Sequence, residues 1–312
     1  MTVTVINALL RPLLEAHLPD WIEPRWYATK EEVFALAPEA EIGWFDMYTK
    51  ADVIEAVRLA ERMRWLNTGY AGLDFFPLDL MAQRGVQLTN GAGINAITIA
   101  EYVVLGMLSF AKDYPAVLRA QGRGEWLKDA PGKRELFESK ALILGYGAIG
   151  QEIDRRLAAF GVEVTKVRRN SGPGTLGPDE WRARLGEFDW VILAVPQTAE
   201  TERMIGAAEL AAMNSNAVLI NIARGGVVDQ DALVATLEQR RIGGAFLDVT
   251  TPEPLPAGHP LWRLDNAVVT MHLSGRAQTR MYERAAERFL RNLPAFRAGG
   301  VMESEVDLVR GY

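Results

Sequence analysis

Short apolar segments alternate with longer segments of helical periodicity along most of the chain. The apolar segments have the length and flanking residues of buried strands, because Gly, Asn or Asp commonly follows them. The predicted strands are Thr2–Ile6, Ile42–Phe45, Trp65–Asn67, Val86–Thr89, Ala141–Leu144, Val162–Val167, Val191–Val195, Ala217–Ile222, Gly244–Leu247 and Val268–Thr270. Since helical segments lie between most of them, the pattern predicts the α/β class. Repeated βαβ units form parallel sheets covered by helices, with ligands at the carboxyl ends of the strands.

Several helices and a division of the chain have clear sequence signals. Thr29 and Glu32 have the spacing of a capping box at the start of a helix. Thr98–Ala111 is dense enough in apolar residues to be a largely buried helix. The polar stretch Gln121–Lys140 separates two series of strands, and the helical pattern Thr279–Phe296 is predicted to return the chain to the first domain. A chain of 312 residues is long for a single core, so two domains are expected.

Composition narrows the class of protein. The apolar fraction of 49% and the charged fraction of 24% are those of a globular protein. A net charge of −6 argues against nucleic acid as a partner, because no basic stripe is present to neutralise phosphates. The absence of cysteine excludes a disulfide framework, a thiolate nucleophile and a cysteine metal site. Neither a signal peptide nor a membrane-spanning apolar stretch is found, so we expect a cytoplasmic location and no membrane partner.

The strongest single motif is the sequence GYGAIG, which directly follows the strand Ala141–Leu144 and opens the helix Gln151–Phe160. Glycines in this context permit a tight turn, close approach of the backbone to a pyrophosphate, and close packing of helix on strand. The free N–H groups and the dipole at the start of the helix favour the negative charge. We therefore expect a dinucleotide cofactor here rather than a glycine-rich turn that binds nothing. The predicted contacts are Gly145, Gly147, Ala148, Ile149 and Gly150.

The residues after the next strand bear on which dinucleotide binds. In an NAD-binding unit, an acidic residue about 20 positions further on accepts hydrogen bonds from the ribose hydroxyls. Here Val162–Val167 is followed by the sequence RRNS, which contains no carboxylate. Two arginines at this point can bind a 2′-phosphate by charge-assisted hydrogen bonds, so NADP is expected in preference to NAD, with solvated arginines as the alternative. Arg168 and Arg169 are the residues predicted to bind the phosphate, and Ser171 is a further predicted contact of the cofactor.

Five segments follow one another in the order and with the spacing of a known family. They are Gly145–Gly150, Val195–Thr201, Asn221–Gly226, Asp248–Pro256 and His272–Gly275. Together they resemble the D-isomer-specific 2-hydroxyacid dehydrogenases, and in character they are nearest to the glyoxylate/hydroxypyruvate reductases. A weaker likeness extends into the first domain at Gly69–Asp74 and Asn95–Glu101.

The resemblance implies a fold, an activity and an assembly. The implied fold is a Rossmann-type, doubly wound parallel sheet of residues 93–278, inserted into a flavodoxin-like substrate-binding domain of residues 1–92 and 279–312. The implied enzyme is an NAD(P)-dependent oxidoreductase that reduces a small, glyoxylate-like or hydroxypyruvate-like 2-oxo acid to the D-2-hydroxy acid. The implied assembly is a homodimer.

Three histidines are candidates for the acid that such a reduction needs. Hydride addition to a ketone leaves an alkoxide that requires a proton, and a positioned imidazole is the usual donor near neutral pH. His17 lies in an early helical segment and His259 lies in a turn, whereas His272 directly follows the strand Val268–Thr270. Catalytic residues of α/β folds gather at such strand ends, so His272 is predicted to be the catalytic acid/base.

Two further charged residues complete the predicted catalytic set. Arg224 follows an apolar strand and precedes two glycines, which leave its side chain uncrowded, so its guanidinium can bind a substrate carboxylate and polarise the neighbouring carbonyl. Glu253 lies between Pro252 and Pro254, where sequence alone favours a solvated glutamate. The resemblance gives Glu253 the role of a partner to His272, because a carboxylate beside an imidazole favours the imidazolium.

The resemblance also implies contacts outside the catalytic set. The implied cofactor contacts are Val195, Pro196, Thr201, Ile222, Ala223, Arg224, Asp248 and Gly275, with Asp248 at the nicotinamide carboxamide. The implied substrate contacts are Tyr70, Ala71, Gly72, Arg224 and His272, with backbone N–H groups of Ala71 and Gly72 binding the carboxylate.

Some positions depart from the family or leave a question open. Met271 precedes His272 where the family usually has proline. Asn95 resembles a residue of formate dehydrogenases, but those relatives have glutamine where this chain has Glu253, so formate is discounted. A group of mostly aromatic residues after an early strand either lines the substrate pocket or belongs to the core. These residues are Trp44, Phe45, Met47 and Tyr48.

Two other functions are compatible with these motifs. One is an NAD-linked dehydrogenase that acts on a bulkier, apolar D-2-hydroxy acid. The other is a binding protein of the same superfamily that senses the cofactor without turning over a substrate.

Overall fold

The structure of the protein is a computed structural model that describes residues 1–47, 49–73, 75–276 and 278–308. Tyr48 and Asp74, which fall in segments singled out from the sequence, lie outside the described residues. The strands are β1 (Thr2–Asn7), β2 (Ile22–Tyr27), β3 (Ile42–Trp44), β4 (Trp65–Asn67), β5 (Gln87–Thr89), β6 (Lys140–Leu144), β7 (Glu163–Val167), β8 (Trp190–Leu193), β9 (Val218–Asn221), β10 (Gly244–Leu247) and β11 (Ala267–Val269). The helices are α1 (Arg11–Leu14), α2 (Lys30–Leu36), α3 (Lys50–Leu59), α4 (Leu78–Gln83), α5 (Ala96–Ala111), α6 (Tyr114–Gly122), α7 (Ala148–Ala159), α8 (Ala207–Ala212), α9 (Gln230–Glu238) and α10 (Gln278–Ala298).

The chain divides into two units. The first comprises Met1–Asn95 together with Ala277–Tyr312, and the second comprises Ala96–Arg276. Each unit contains one sheet in which every strand pairing is parallel. The predicted α/β class with parallel sheets is therefore confirmed.

In the first unit the strand order is β2-β1-β3-β4-β5, which is the flavodoxin-like order. Apolar clusters cover both faces of this sheet. One cluster contains Trp65 of β4 and Phe289 and Phe296 of α10, so the returning carboxyl-terminal helix packs against the sheet of the first unit. This helix begins and ends within two residues of the predicted segment Thr279–Phe296.

The edge strand β2 was not predicted from the sequence. Its segment IEPRWY contains Pro24 and two charged residues, so it lacks the apolar pattern of a buried strand. Strand β2 nevertheless pairs with β1 from Thr2↔Ile22 to Asn7↔Tyr27. Proline is tolerated there because one side of an edge strand has no partner strand, and a residue on that side need not donate an N–H.

In the second unit the strand order is β11-β10-β9-β8-β6-β7. An isolated parallel bridge between Val167 and Leu176 extends the sheet beyond β7. If the bridged segment at Leu176 is counted as the third strand, the sheet has the strand order of a Rossmann fold. In that order the direction of the chain across the sheet reverses between β6 and β8. Ligands of such sheets bind outside the carboxyl ends of the strands at this reversal.

Local signals in the sequence correspond to observed features. Thr29 Oγ1 accepts a hydrogen bond from Glu32 N at 3.2 Å, and the Glu32 carboxylate accepts one from Thr29 N, which confirms the capping box. In the described ranges, no helix is both long and apolar enough to cross a membrane. The same ranges contain no group of three or more His, Asp or Glu side chains placed to hold a metal ion.

Candidate active site

The glycine-rich turn between β6 and α7 has the geometry of a phosphate cradle. Gly145 has φ +100°, and a Cβ on it would lie 2.5 Å from Ala194 O. A Cβ on Gly150 would lie 2.4 Å from Gly145 O, so both positions require glycine to close the turn. A Cβ on Gly147 would meet nothing within 4 Å, and no side chain caps α7 there. The start of this twelve-residue helix therefore offers open space and unpaired N–H groups, which fits the pyrophosphate of a dinucleotide.

A polar cluster that was not predicted from the sequence lies behind this turn. Tyr146 Oη donates a hydrogen bond to Asp154 Oδ2 at 2.6 Å, and Lys166 Nζ lies 2.6 Å from the same oxygen. Burial raises the pKa of Tyr146 and the neighbouring Asp154 adds to the effect, while the hydrogen bond to Asp154 raises the pKa of Lys166. The cluster ties the turn to α7 and β7.

The two arginines after β7 differ in their surroundings. Arg168 N donates to Leu176 O at 3.0 Å, which fixes its backbone at the end of the strand. Among the described residues, its exposed guanidinium has no hydrogen bond or ion pair. The Arg169 guanidinium is paired with the Glu200 carboxylate. Ser171 is exposed as well. Because Arg169 is paired and Arg168 has no partner among the described residues, Arg168 is the arginine at this strand end that can bind an anion directly.

The loop after β8 is closed by side-chain bonds to its backbone. Thr201 Oγ1 donates to Pro196 O at 2.6 Å and accepts a hydrogen bond from Thr198 N at 2.8 Å. These bonds hold the segment that starts at Val195, shortly after β8 ends at Leu193.

Arg224 is held in place by the end of β9. The Asn221 side chain accepts a hydrogen bond from Ala223 N and donates one to Arg224 O, both at 3.0 Å. Arg224 Nη1 in turn donates to Ala223 O at 2.7 Å, and Ile222 and Ala223 are buried. These hydrogen bonds fix the backbone that carries the guanidinium. The Arg224 side chain is half-buried and makes further contacts.

The turns after β9 and β10 touch each other. A Cβ on Gly225 would lie 2.1 Å from Thr250 O, so the chain passes Thr250 only because position 225 is glycine. Thr250 N donates a hydrogen bond to Glu253 Oε1 at 3.1 Å, which orients the Glu253 carboxylate. The turns that carry Arg224 and Glu253 are thus neighbours.

His272 and Glu253 are brought together. Glu253 Oε2 lies 2.8 Å from His272 Nδ1, so the carboxylate accepts a hydrogen bond from that ring nitrogen. This bond fixes the tautomer and orientation of the ring and leaves Nε2 as the nitrogen able to exchange a proton. His272 follows β11, as expected for a residue at the carboxyl edge of the sheet.

Asp248 holds the backbone of the His272 loop. Asp248 is 2% exposed, and its carboxylate accepts hydrogen bonds from Thr270 Oγ1 (2.7 Å), Leu273 N (2.9 Å) and Ser274. Its carbonyl oxygen accepts one from His272 N at 2.6 Å. Among the described residues, all hydrogen bonds to the Asp248 carboxylate come from the loop that ends at Ser274, just before Gly275.

The departure at Met271 has a structural reason. Met271 and His272 have φ values of +56° and +57°, in the left-handed region. Proline is restricted to φ near −65°, so the residue usual in the family does not fit this loop conformation.

A second candidate region lies in the first unit, after β3 and β4. Gly91 N donates to Tyr70 O at 2.8 Å, and Asn90 Nδ2 donates to Ala71 O at 3.1 Å. The N–H groups of Ala71 and Gly72 have no acceptor among the described residues. Two adjacent unpaired N–H groups on a braced loop can bind an anion.

The aromatic residues after β3 have unequal surroundings. Trp44 and Phe45 are fully buried in the core of the first unit, where the Trp44 ring lies 5.3 Å from that of Phe289. Met47 is half-buried, and its carbonyl oxygen accepts a hydrogen bond from Tyr70 Oη at 2.7 Å. The buried pair therefore serves packing.

Comparison with known proteins identifies a matching family and several relatives. Residues 104–274 match the model of the NAD binding domain of D-isomer specific 2-hydroxyacid dehydrogenases. The chain is 34% identical over 261 residues to an uncharacterised protein of Corynebacterium melassecola, which covers 81% of this chain and 85% of that protein. It is 33% identical over 259 residues to glyoxylate/hydroxypyruvate reductase B of Yersinia enterocolitica, with 80% and 78% of the two chains covered.

A solved structure gives the same assignment. The D-isomer specific 2-hydroxyacid dehydrogenase of Xanthobacter autotrophicus, in complex with NADPH and MES, is 27% identical to this chain with a TM-score of 0.78. The alignment covers 100% of this chain and 99% of that one. The protein is thus a member of the D-isomer specific 2-hydroxyacid dehydrogenase family and an NAD(P)-dependent dehydrogenase.

Proposed function

We propose that the protein reduces a small 2-oxo acid of the glyoxylate or hydroxypyruvate type to the D-2-hydroxy acid, with NADPH as the preferred reductant. The observation that carries the proposal is the 2.8 Å pair of His272 Nδ1 and Glu253 Oε2 at the carboxyl edge of the nucleotide-binding sheet. Similarity to glyoxylate/hydroxypyruvate reductase B supports the class of substrate.

In this proposal three side chains of the second unit perform the chemistry. The nicotinamide cofactor supplies the hydride that is added to the carbonyl carbon. His272 Nε2 donates a proton to the carbonyl oxygen, so hydride and proton together convert the ketone to an alcohol. Glu253 accepts the Nδ1–H bond and stabilises the imidazolium before the proton is transferred. The Arg224 guanidinium binds the substrate carboxylate and stabilises negative charge that develops on the oxygen.

The loop of the first unit is proposed to bind the substrate carboxylate. The N–H groups of Ala71 and Gly72 are unpaired in the described residues, and the carbonyl groups of Tyr70 and Ala71 are held by hydrogen bonds from Gly91 and Asn90. Donors held in this way need little reorganisation when a carboxylate binds.

The preference for NADPH is proposed from the residues after β7. Arg168 has no ion-pair partner within the described ranges, and it follows the strand whose end contacts the adenosine ribose in Rossmann sheets. Arg169 must leave Glu200 before it can contribute, and Ser171 can donate a further hydrogen bond. The similar enzyme of Xanthobacter autotrophicus was solved with NADPH.

A substrate panel tests the proposed function. The purified protein is assayed for loss of reduced-cofactor absorbance with glyoxylate, hydroxypyruvate, pyruvate and larger 2-oxo acids, each with NADPH and with NADH. We expect turnover of the small acids, higher kcat/KM with NADPH, and a D-hydroxy acid as product. Cofactor binding without turnover of any acid contradicts the proposal and favours a sensor. Turnover only with NADH and bulky apolar acids contradicts the proposed substrate and cofactor.

A further inference from the structure

Asp46, a half-buried acid in the first unit, was not singled out by any sequence motif. It follows β3 by two residues, and its Oδ2 accepts hydrogen bonds from Gly69 N (2.7 Å) and Trp44 Nε1 (2.8 Å). Its Oδ1 accepts one from Thr68 Oγ1 at 2.5 Å. Two of the three donors therefore belong to the segment that leads into the anion-binding loop at Ala71.

Holding this carboxylate in place is costly. Burial raises the pKa of the Asp46 carboxyl, and the hydrogen bonds from Thr68, Gly69 and Trp44 act in the opposite direction. Among the described residues, no Lys, Arg or His side chain forms an ion pair with it. An acid retained at such a place, without a cation, is better explained by a geometric role than by a gain in stability.

The hydrogen bonds of the loop show what Asp46 fixes. Thr68 Oγ1 donates to Asp46 and accepts from Tyr70 N at 3.2 Å, so the hydroxyl links the acid to the next peptide group. Gly69 N is directed at the carboxylate, and a Cβ on Gly91 would lie 2.0 Å from Gly69 O. The backbone N–H groups of residues 69 and 70 are thus used internally, and those of Ala71 and Gly72 have no acceptor in the part of the chain that the structure describes.

We propose that Asp46 is a positioning residue for the substrate carboxylate: it orients the Thr68–Tyr70 segment so that the N–H groups of Ala71 and Gly72 converge on the anion. This inference rests on the proposed function, because it assumes that the bound anion is the carboxylate of a 2-oxo acid. Asp46 acts through the loop and does not touch the substrate.

The direction in which KM changes on Asp46→Asn separates positioning of the loop from a direct effect of the charge of Asp46 on the substrate. Asp46→Asn keeps the shape of the side chain but removes its charge, so Gly69 N and Thr68 Oγ1 lose a charged acceptor. Replacing charge-assisted hydrogen bonds by neutral ones is expected to loosen the loop and raise KM for the 2-oxo acid about tenfold. The kcat should stay nearly constant, since binding is weakened equally in ground and transition states. If Asp46 acted on the substrate only by repulsion, the same variant would lower KM.

The experiment measures KM, kcat, Kd for NADPH and thermal stability of wild type and Asp46→Asn. NADPH affinity should be unchanged, because the glycine-rich turn belongs to the second unit. Asp20→Asn, which changes an exposed acid of the same unit, should match wild type in every quantity. A KM for Asp46→Asn that is equal to or below the wild-type value overturns the inference.

Two further variants cover the case in which Asp46→Asn does not fold. Thr68→Val removes a donor that belongs to the loop, whereas Trp44→Phe removes a donor to the same carboxylate that does not. Positioning predicts a raised KM for Thr68→Val only, and a similar KM for both variants overturns it. If wild type turns over no 2-oxo acid, the proposed function itself has failed, whatever the variants do.

Discussion

The backbone of His272 is left-handed, and Asp248 is the residue that keeps it so. Two consecutive non-glycine residues, Met271 and His272, have φ near +57°, at a cost of roughly 1–2 kcal/mol each. Hydrogen bonds from the N–H groups of Leu273 and Ser274 to the buried Asp248 carboxylate offset that cost. Strain held in this way is typical of functional loops, because it directs one side chain at the expense of local stability.

The pairing of His272 with Glu253 leads to a prediction about the rate of reduction. Glu253→Gln keeps an oxygen that can accept the Nδ1–H bond but removes the charge that stabilises the imidazolium. The variant should therefore have a lower kcat, by less than the factor of about 10²–10⁴ expected when the acid/base itself is removed. Steady-state kinetics at saturating substrate and cofactor measure the change.

The control for this comparison is Glu238→Gln, which changes an exposed glutamate of α9. Its kcat should coincide with that of wild type. A kcat of Glu253→Gln equal to that of wild type would show that the carboxylate does not assist the proton donor.

The difference between Arg168 and Arg169 predicts which one selects the cofactor. Charged hydrogen bonds contribute roughly 1.5–3 kcal/mol, so Arg168→Asp should weaken NADPH binding on the order of 10- to 100-fold and improve NADH relative to it. Arg169→Asp should have a smaller effect, because this arginine is already paired with Glu200. Kd values for both cofactors, with exposed Arg263→Asp as the matched control, test this. An unchanged ratio of NADPH to NADH affinity in Arg168→Asp would refute the assignment.

Helix α10 stabilises the first unit through aromatic contacts, among which those of Phe289 are the most deeply buried. Phe289 is 0% exposed and lies 5.0 Å from the Trp65 ring, stacked at 18°. Phe289→Ala should lower the free energy of unfolding by about 3–5 kcal/mol, because it leaves a cavity in a close-packed core. Tyr282→Ala, on the partly exposed side of the same helix, should cost far less.

Guanidinium denaturation followed by tryptophan fluorescence measures both variants. Since the two units can unfold in separate transitions, the loss of stability should appear in the unfolding transition of the first unit, which contains Trp44 and Trp65. A loss for Phe289→Ala no larger than that for Tyr282→Ala would mean that α10 does not anchor the unit.

Elements with a local pattern could be predicted from the sequence, and elements defined by distant partners could not. The GYGAIG turn is recognisable because strand, glycines and helix are contiguous, and His272 because it directly follows a strand. Strand β2 has no such pattern, since its place at the edge is decided by pairing with β1. Predicted and observed strand ends also differ. The strand predicted to end at Val195 ends at Leu193, because the apolar run continues beyond the last residue that pairs with a neighbouring strand.

The same reasoning explains which site residues the sequence did not indicate. Asp46 meets Thr68 and Gly69 only because β3 and β4 are neighbours in the sheet, and no spacing in the sequence encodes that. The cluster of Tyr146, Asp154 and Lys166 likewise depends on α7 packing beside β7. Glu253 looked like a solvated glutamate in sequence, and only its family motif pointed to His272.

On the scale of the whole molecule, the homodimer that the family resemblance implies remains a prediction. In the second unit, Trp126 is 92% exposed and Phe137 is 62% exposed. We propose these two side chains as parts of the surface that the second copy covers. We predict that light scattering gives twice the chain mass of 34.5 kDa, and that Trp126→Ser shifts the protein towards monomer on dilution.

Val301→Ser is the control for this prediction, because Val301 is similarly exposed but belongs to the first unit. It should leave the assembly unchanged. A wild-type mass equal to that of one chain at micromolar concentration would contradict the predicted dimer.

The central claim is that His272 protonates the substrate in a reduction by NADPH, and a single-turnover measurement tests it most directly. Protein loaded with NADPH is mixed with excess glyoxylate or hydroxypyruvate, and the loss of cofactor absorbance is followed for wild type and His272→Ala. Removal of a positioned acid/base costs about 10²–10⁴-fold in rate, so the variant should be slower by that factor while its Kd for NADPH stays the same. A His272→Ala protein that oxidises NADPH at a near-normal rate would contradict the mechanism.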